Sequence, residues 1–275
     1  MADLAQEFAD WLAAEGRAAN TVAAYRRDVA AYLKWRSTTE GELGDYVEHV
    51  RSTRARSSAD RAVVALRIFH RWRDDATPTP ELIGLPRPAP TNDEPLLSED
   101  DVARLLRAAE GETAERRRDA VTVALLYFGG LKATEAISLD VADVAADAMV
   151  LTVDRDGPHE RLLPVVPALR AVLVRWLDGR GRTRLRPSTS AVLLNRRGQR
   201  LTRQGLWLLT SAVGRRAALL DALSPNDLRR ACGAHLGDRG VPATSVGAFL
   251  GHSRGPMPTS RMLNEIGWGS CNLSL

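Results

Sequence analysis

Ser224-Pro-Asn-Asp-Leu-Arg-Arg-Ala-Cys-Gly-Ala-His-Leu236 and Phe249-Leu-Gly-His-Ser253 carry the strongest signal in this sequence. The first segment predicts a helix that resumes near Asp227 and carries Arg229 and Arg230. The second places His252 directly after a Leu-Gly pair, where a helix resuming near Thr244 would end. Taken alone, the two arginines could be surface residues of an amphipathic helix, and His252 could be a capping or core histidine.

The sequence upstream of these segments predicts a mainly α-helical unit with a small β-sheet. Ser98 and Asp101 form a capping-box-like pair at its first helix. An apolar helix is expected from about Asp119 to Phe128, ending at Gly129-Gly130. The other predicted elements are two strands, Met149–Val153 and Arg161–Val165, around a turn over 154–160. A helix starting at Pro167, a strand at Ala191–Asn195 and a helix near Thr202 follow.

The first 75 residues predict a separate bundle of four helices. Leu4, Phe8, Trp11 and Leu12 share one helical face. Asn20 or Thr21 is expected to cap the second helix. The third helix is expected at Leu43–Arg51, and the fourth from Ser57 or Ser58 to about Trp72.

A proline-rich stretch separates the two units. It contains six prolines, a composition that opposes regular structure and indicates an interdomain linker. We therefore predict a helical domain at 1–76, a linker at 77–96 and a second domain at 97–275.

Composition narrows the class of protein. The chain has 275 residues, 44% of them hydrophobic and 26% charged, which suits a globular protein with a packed core. The expectation is a cytoplasmic protein without a membrane span, since no apolar run is long enough and the first residues are acidic. Cys232 and Cys271 predict neither a disulfide framework nor a metal site.

The positive charge is unevenly distributed. Residues 1–90 are neutral, whereas 161–230 carry a net charge of +12. Such a segment suggests a polyanionic partner, most often nucleic acid. Only Lys34 and Lys132 are lysines among the 38 basic residues, a bias that a GC-rich genome would also produce.

Several motifs, in this order, make the chain resemble the tyrosine recombinase (phage integrase, Xer-type) family over nearly its whole length. Asn20-Thr-Val-Ala-Ala-Tyr-Arg-Arg-Asp28 is similar to the signature helix of the family's core-binding (SAM-like) domain. Gly130-Leu-Lys-Ala-Thr-Glu-Ala-Ile-Ser-Leu139 is similar to its first catalytic box, and His159-Glu-Arg-Leu-Leu-Pro164 to the strand after its lysine-bearing turn. The two segments quoted first resemble its second box.

The resemblance implies a specific chemistry. In this family a tyrosine attacks a DNA phosphodiester, two arginines clamp the phosphate, a turn lysine protonates the leaving oxygen, and histidines assist. It requires neither a metal nor another cofactor. The implied partner is double-stranded DNA, together with an active recombinase or a second copy of the chain.

Carried over position by position, the family's catalytic set is incomplete. Arg229 and His252 are retained, and Lys132 occupies the first arginine's position. Asp156, Asn226 and Arg261 stand where the turn lysine, the first histidine and the tyrosine are expected. Lys132 could equally be a solvated lysine at a helix start. Arg155, beside Asp156, could supply charge but is a poor proton donor.

The arginines outside the catalytic positions extend the expected DNA contacts. The candidates are Lys132, Arg155, Arg229 and Arg230 in the second domain, and Arg26, Arg27, Arg67 and Arg71 in the first. The first-domain set could instead be a solvated face. His49, His70, His159 and His235 have no metal-ligand spacing and are expected to be structural or exposed.

Four functional hypotheses follow. The preferred one is a DNA-binding pseudoenzyme of this family that has lost strand cleavage. The second is an active site-specific recombinase with a displaced nucleophile, for which Thr259 and Ser260 are the nearby hydroxyls. The third is a scaffold reused for protein binding or unrelated chemistry, since a fold does not fix a function. The fourth is a decayed or frameshifted gene product, suggested by the unusual residues after Arg261.

Overall fold

The computed structural model describes residues 2–17, 19–54, 56–74, 97–180, 189–219, 223–252 and 255–269. The chain forms two compact units, Met1–Glu94 and Pro95–Leu275. The linker predicted at 77–96 lies outside the described residues, and the domain boundaries stay predictions. No helix within the described ranges is both long and apolar enough to cross a membrane.

The first unit consists of four helices around one apolar core. They are α1 (Ala2–Ala14), α2 (Ala19–Thr38), α3 (Leu43–Thr53) and α4 (Arg56–Asp74). Phe8, Leu12 and Phe69 lie fully buried at its centre, as the apolar spacing of α1 and α4 predicts.

One feature of this unit differs from the sequence-based expectation, and another was not predicted. Helix α2 begins at Ala19, so Asn20 and Thr21 lie in its first turn and neither caps it. Asp28 is buried at 3% exposure and accepts hydrogen bonds from Arg54 and Arg61. A buried carboxylate needs such partners, because desolvating an unpaired charge is costly.

The second unit is mainly helical and contains a two-stranded antiparallel sheet. Its helices are α5 (Glu99–Ala109), α6 (Ala114–Tyr127), α7 (Ala133–Ser138), α8 (Pro167–Arg180), α9 (Arg203–Arg216), α10 (Pro225–Asp238), α11 (Ala243–Leu250) and α12 (Ser260–Glu265). Strands β1 (Val150–Val153) and β2 (Arg161–Pro164) pair with Leu151 opposite Leu163.

The predicted helix at 119–128 and the strand at 191–195 need correction. Helix α6 starts at Ala114, because the Thr113 hydroxyl accepts a hydrogen bond from the Arg116 amide and caps the helix earlier. The expected strand Ala191–Asn195 is wrong: its residues form only isolated bridges, Ala191 with Asp140 and Leu194 with Arg200. Apolar runs this short do not specify a pairing partner.

Capping residues define one end of each of three helices in the second unit. Ser98 and Asp101 form the predicted capping box, with Asp101 N donating to Ser98 Oγ. Helix α10 has Pro225 in its first turn and a capping box between Ser224 and Asp227. Helix α11 ends at Gly251, whose φ of +69° closes the helix in the left-handed conformation.

Candidate phosphate-binding site

Arg229 lies at the centre of the candidate site. It sits on the buried face of α10 with only 6% exposure. Its guanidinium donates to the carbonyl oxygens of Gly130 and Leu250 and contacts Nε2 of His252 at 2.8 Å. Because arginine can only donate, His252 Nε2 must accept, which places the imidazole proton on Nδ1. Burial lowers the pKa of Arg229, an effect that the nearby Glu135 carboxylate opposes.

Two glycines allow the backbone to approach this guanidinium. Gly130 has a φ of +56°, and a Cβ there would lie 2.7 Å from Leu250 Cδ2 and 3.0 Å from Cys232 Sγ. A Cβ at Gly251 would lie 2.7 Å from Arg161 Nη1. A side chain at either position would require these neighbouring side chains to move, and the positive φ of both glycines is strained for any residue with a Cβ.

Lys132 reaches the same region from α7. As the residue preceding that helix, it donates from Nζ to the Gly251 carbonyl at 3.3 Å and lies 3.5 Å from Glu135 Oε1. Its side chain is 36% exposed, so the ammonium remains open to a ligand. The structure therefore brings Lys132, Arg229 and His252 together, around the loop at Gly251.

Glu135 is the buried anion of the site, and sequence reasoning missed it. Its side chain is 8% exposed and accepts two hydrogen bonds from Arg161, at 2.9 and 3.1 Å. It also accepts from the Lys132 amide at 2.8 Å and lies 3.9 Å from Arg229 Nη1. Burial raises the pKa of Glu135, but the Arg161 hydrogen bonds and nearby cations outweigh it and leave that pKa below its usual value.

Arg161 is the second residue that sequence reasoning missed. It is the first residue of β2, is 8% exposed, and donates from Nε to the Phe249 carbonyl at 3.1 Å. An available signal was its charge in an otherwise apolar strand, where an arginine requires a buried partner. For Glu135, the signal was its place three residues after Lys132, where a capping-box carboxylate is expected.

The site has an excess of positive charge. Lys132, Arg161 and Arg229 surround one carboxylate, and His252 is neutral in the tautomer described above. Partial burial, followed by the charges of Arg229, Lys132 and Arg161, lowers the pKa of His252. An anion entering beside Lys132 and His252 would meet unbalanced positive charge at a partly exposed surface.

The positions that the resemblance assigns to the turn lysine, the first histidine and the tyrosine make no contact with this cluster among the described residues. Asp156 is exposed with a φ of +60°, and its amide donates to Glu160. Asn226 is exposed at the start of α10. Arg261 is 88% exposed on α12 and forms an ion pair with Glu265.

The remaining DNA-contact candidates are described within their own units. Arg155 is exposed and paired with Asp143, on a surface shared with Asp154 and Asp156. Arg230 is half-buried next to Arg229. The first-unit candidates lie on α2 and α4: Arg26 donates to Gln6, Arg27 to the Ala23 carbonyl, Arg67 is half-buried and Arg71 is exposed.

The histidines outside the site divide between buried and exposed positions. His235 is buried and hydrogen-bonded to Tyr127, and His70 is buried in the first unit, whereas His49 and His159 are exposed. Among the described residues, no three His, Cys, Asp or Glu side chains are grouped as metal ligands.

Comparison with protein families places the chain. The model described as "Phage integrase family" matches residues 95–260, and "Phage integrase, N-terminal SAM-like domain" matches residues 5–75. The chain belongs to the phage integrase family. The predicted fold class, a SAM-like helical domain followed by an integrase catalytic-type domain with a small sheet, is confirmed.

Related proteins align with this phage integrase family member over nearly its whole length. It is 28% identical over 270 residues to the tyrosine recombinase XerD of Listeria monocytogenes serotype 4b, covering 92% of this chain and 91% of that protein. It is 32% identical over 280 residues to the tyrosine recombinase XerD of Mycobacterium tuberculosis, covering 90% and 88%.

Solved structures share the fold at low sequence identity. A Tn1549 transposon integrase in complex with transposon right end DNA superposes with a TM-score of 0.70, 15% identity, and coverage of 95% of this chain and 93% of that chain. A lambda integrase dimer bound to a COC′ core site gives a TM-score of 0.68, 14% identity, and coverage of 92% and 94%.

Proposed function

We propose that this phage integrase family member binds double-stranded DNA through its phosphates and does not cleave the strands. The observation that carries the proposal is the convergence of Lys132, Arg229 and His252 on one positively charged region. The resemblance assigns these positions to phosphate binding. Guanidinium and ammonium groups suit that task, and the matching Tn1549 and lambda integrase structures are DNA complexes.

The second half of the proposal is supported by the replacement of the groups that cleavage needs. Arg261 stands at the nucleophile position, and an arginine cannot form a phosphotyrosine. The chain's tyrosines lie elsewhere: Tyr25, Tyr32 and Tyr46 belong to the first unit, and Tyr127 is 4% exposed with its hydroxyl bonded to His235. Asp156 in place of the turn lysine removes the proton donor and adds a charge that repels phosphate.

Such a protein would act as an architectural factor, a regulator, or a non-cleaving subunit beside an active recombinase or a second copy of itself. An active recombinase with a displaced nucleophile is the alternative. Its nearby hydroxyls are poorly placed for attack, because Thr259 caps α12 by accepting from the Met262 amide and no general base lies beside exposed Ser260 among the described contacts. Reuse of the scaffold for protein binding is the remaining alternative, and it predicts no DNA binding.

A salt titration of DNA affinity tests the binding half. Lys132→Gln is expected to weaken binding of a duplex and to reduce the slope of log K against log salt by about 1, the change for one lost phosphate contact. Lys34→Gln is a matched control, since it makes the same substitution at an exposed lysine in the first unit. Binding that is absent, insensitive to salt, or equally weakened by both variants would contradict the proposal.

A suicide DNA substrate tests the cleavage half. A nicked duplex that traps covalent intermediates is expected to leave no protein–DNA adduct on a denaturing gel. An adduct formed by the wild-type chain would overturn the inactive reading and favour the displaced nucleophile. Peptide mapping of such an adduct would then identify the residue.

A further inference from the structure

The second unit contains a large, open cavity that is separate from the Arg229 cluster. It has a volume of about 730 Å³ and lies between the start of α6, the turn at 195–199 and helix α9. Its lining includes two carboxylates, Glu115 and Asp119, and five arginines, so its net charge is +3; the arginines are Arg116, Arg118, Arg196, Arg197 and Arg216. A concave surface of one dominant sign concentrates oppositely charged ligands.

One wall presents two arginines on a rigid turn. The Asn195 amide donates to the Gln199 carbonyl at 2.8 Å, and Asn195 Oδ1 accepts from the amides of Arg197 and Gln199. Arg196 and Arg197 are exposed at this turn, and neither side chain forms an ion pair within the part of the chain that the structure describes. Their backbone is thus fixed while their guanidinium groups remain open to a ligand.

The wall formed by α6 and α9 holds more positive charge than its two carboxylates balance. Asp119 is 4% exposed and is shared by Arg118 at 3.0 Å and Arg216 at 2.7 Å. Arg216 and Arg116 also donate to the Ala108 carbonyl, which holds both side chains in place. With Glu115 included, three guanidinium groups and two carboxylates leave this wall with a net charge of +1.

The third part of the lining is apolar. Leu201 and Leu209 are its buried residues. Leu208, next to Leu209 on α9, is 52% exposed. A bare inorganic anion would leave this surface in water. A ligand that joins phosphate to a flat or aliphatic organic group would cover it and gain from the apolar contact.

We propose that this cavity binds nucleotides, with the phosphates between the two arginine walls and the base or sugar against Leu208. The nucleotide is a free nucleoside phosphate. The inference does not rest on the proposed function, because none of the lining residues belongs to the cluster around Glu135.

Calorimetric titration of the full chain with ADP and with inorganic pyrophosphate tests the proposal. The variant R196A/R197A is expected to bind ADP about tenfold or more weakly, the effect of losing charge-assisted hydrogen bonds. R104A/R107A is the matched control, because it removes two exposed arginines of α5 outside the cavity. Leu208→Ser is expected to weaken ADP more than pyrophosphate. Equal ADP affinity in the two double variants would overturn the proposal. Displacement of ADP by chloride to the same extent as by pyrophosphate, at matched ionic strength, would also overturn it.

A competition experiment separates a free nucleotide from a DNA strand. If ADP remains bound in the presence of duplex DNA, the result supports the proposal. If duplex DNA displaces ADP from Lys132→Gln as well as from the wild type, the cavity holds part of a DNA strand and the proposal is overturned. Failure of DNA binding at Lys132 with retained, R196A/R197A-sensitive ADP binding would separate the two proposals.

Discussion

At the residue scale, the site depends on one buried carboxylate that serves several cations. Glu135 joins Arg161 of β2, Lys132 before α7 and Arg229 of α10, residues far apart in sequence. Removing one partner from a buried ion pair leaves an uncompensated charge, which costs more than the pair itself contributes. Glu135 is therefore expected to position both buried arginines.

Glu135→Gln is expected to lower the free energy of unfolding by about 3 kcal/mol at neutral pH, since it leaves Arg161 and Arg229 without their counter-charge. Glu99→Gln is a suitable control, because Glu99 forms a similar pair with Arg239 but is half exposed, and its loss should cost below about 1 kcal/mol. Urea unfolding monitored by circular dichroism measures both. Equal losses in the two variants would contradict the buried role.

The same variant carries a pH signature. Because the pKa of Glu135 is lowered in the folded chain, its contribution is fully present above the unfolded pKa of about 4.3 and is lost as the pH falls through the folded value. The stability difference between wild type and Glu135→Gln should therefore shrink below about pH 4. A difference that stays constant down to pH 3 would show that the charge of Glu135 is not what stabilises the site.

At the element scale, the start of a helix was predictable where a capping side chain and the helical pattern indicate the same position. Ser98 and Asp101 mark the start of α5 as expected, whereas Asn20 and Thr21 fail as caps because α2 begins before them. A residue with cap chemistry is not a cap unless its own backbone is extended and the helix begins directly after it. The strand expected at 191–195 fails for a different reason, since its pairing depends on Asp140 and Arg200, which local pattern does not reveal.

Ser98→Ala is expected to destabilise the second unit by about 1 kcal/mol, the usual effect of losing a cap. Ser138→Ala makes the same change at an exposed residue in the last turn of α7, with no side-chain hydrogen bond among the described contacts, and should change stability by less than about 0.5 kcal/mol. Thermal unfolding of the two variants in parallel checks the difference. A Ser98→Ala variant as stable as Ser138→Ala would mean that the capping box contributes nothing measurable.

At the scale of the whole molecule, the motifs predicted the family and the two-domain fold, and the local pattern predicted most helices. The contacts of the site were not predictable, because Arg229 meets Gly130, Leu250 and His252 only after separate elements pack together. Periodicity reports which face of an element is apolar, not which distant side chain it will meet. Glu135 and Arg161 each carried a local signal, but their pairing with each other was not predictable for this reason.

The proposed absence of cleavage can be tested by restoring the family's residues. If the catalytic positions were assigned correctly, a chain carrying Lys132→Arg, Asp156→Lys, Asn226→His and Arg261→Tyr regains the phosphate clamp, the proton donor and the nucleophile. This variant is expected to trap a covalent adduct on a suicide duplex, whereas the same chain with Arg261→Phe should bind DNA without reacting. A restored variant that folds and binds DNA but forms no adduct would contradict the assignment of these four positions. Arg261 is exposed on α12, outside the Arg229 cluster. Adduct formation by the restored variant therefore requires α12 to bring residue 261 to the phosphate when DNA is bound.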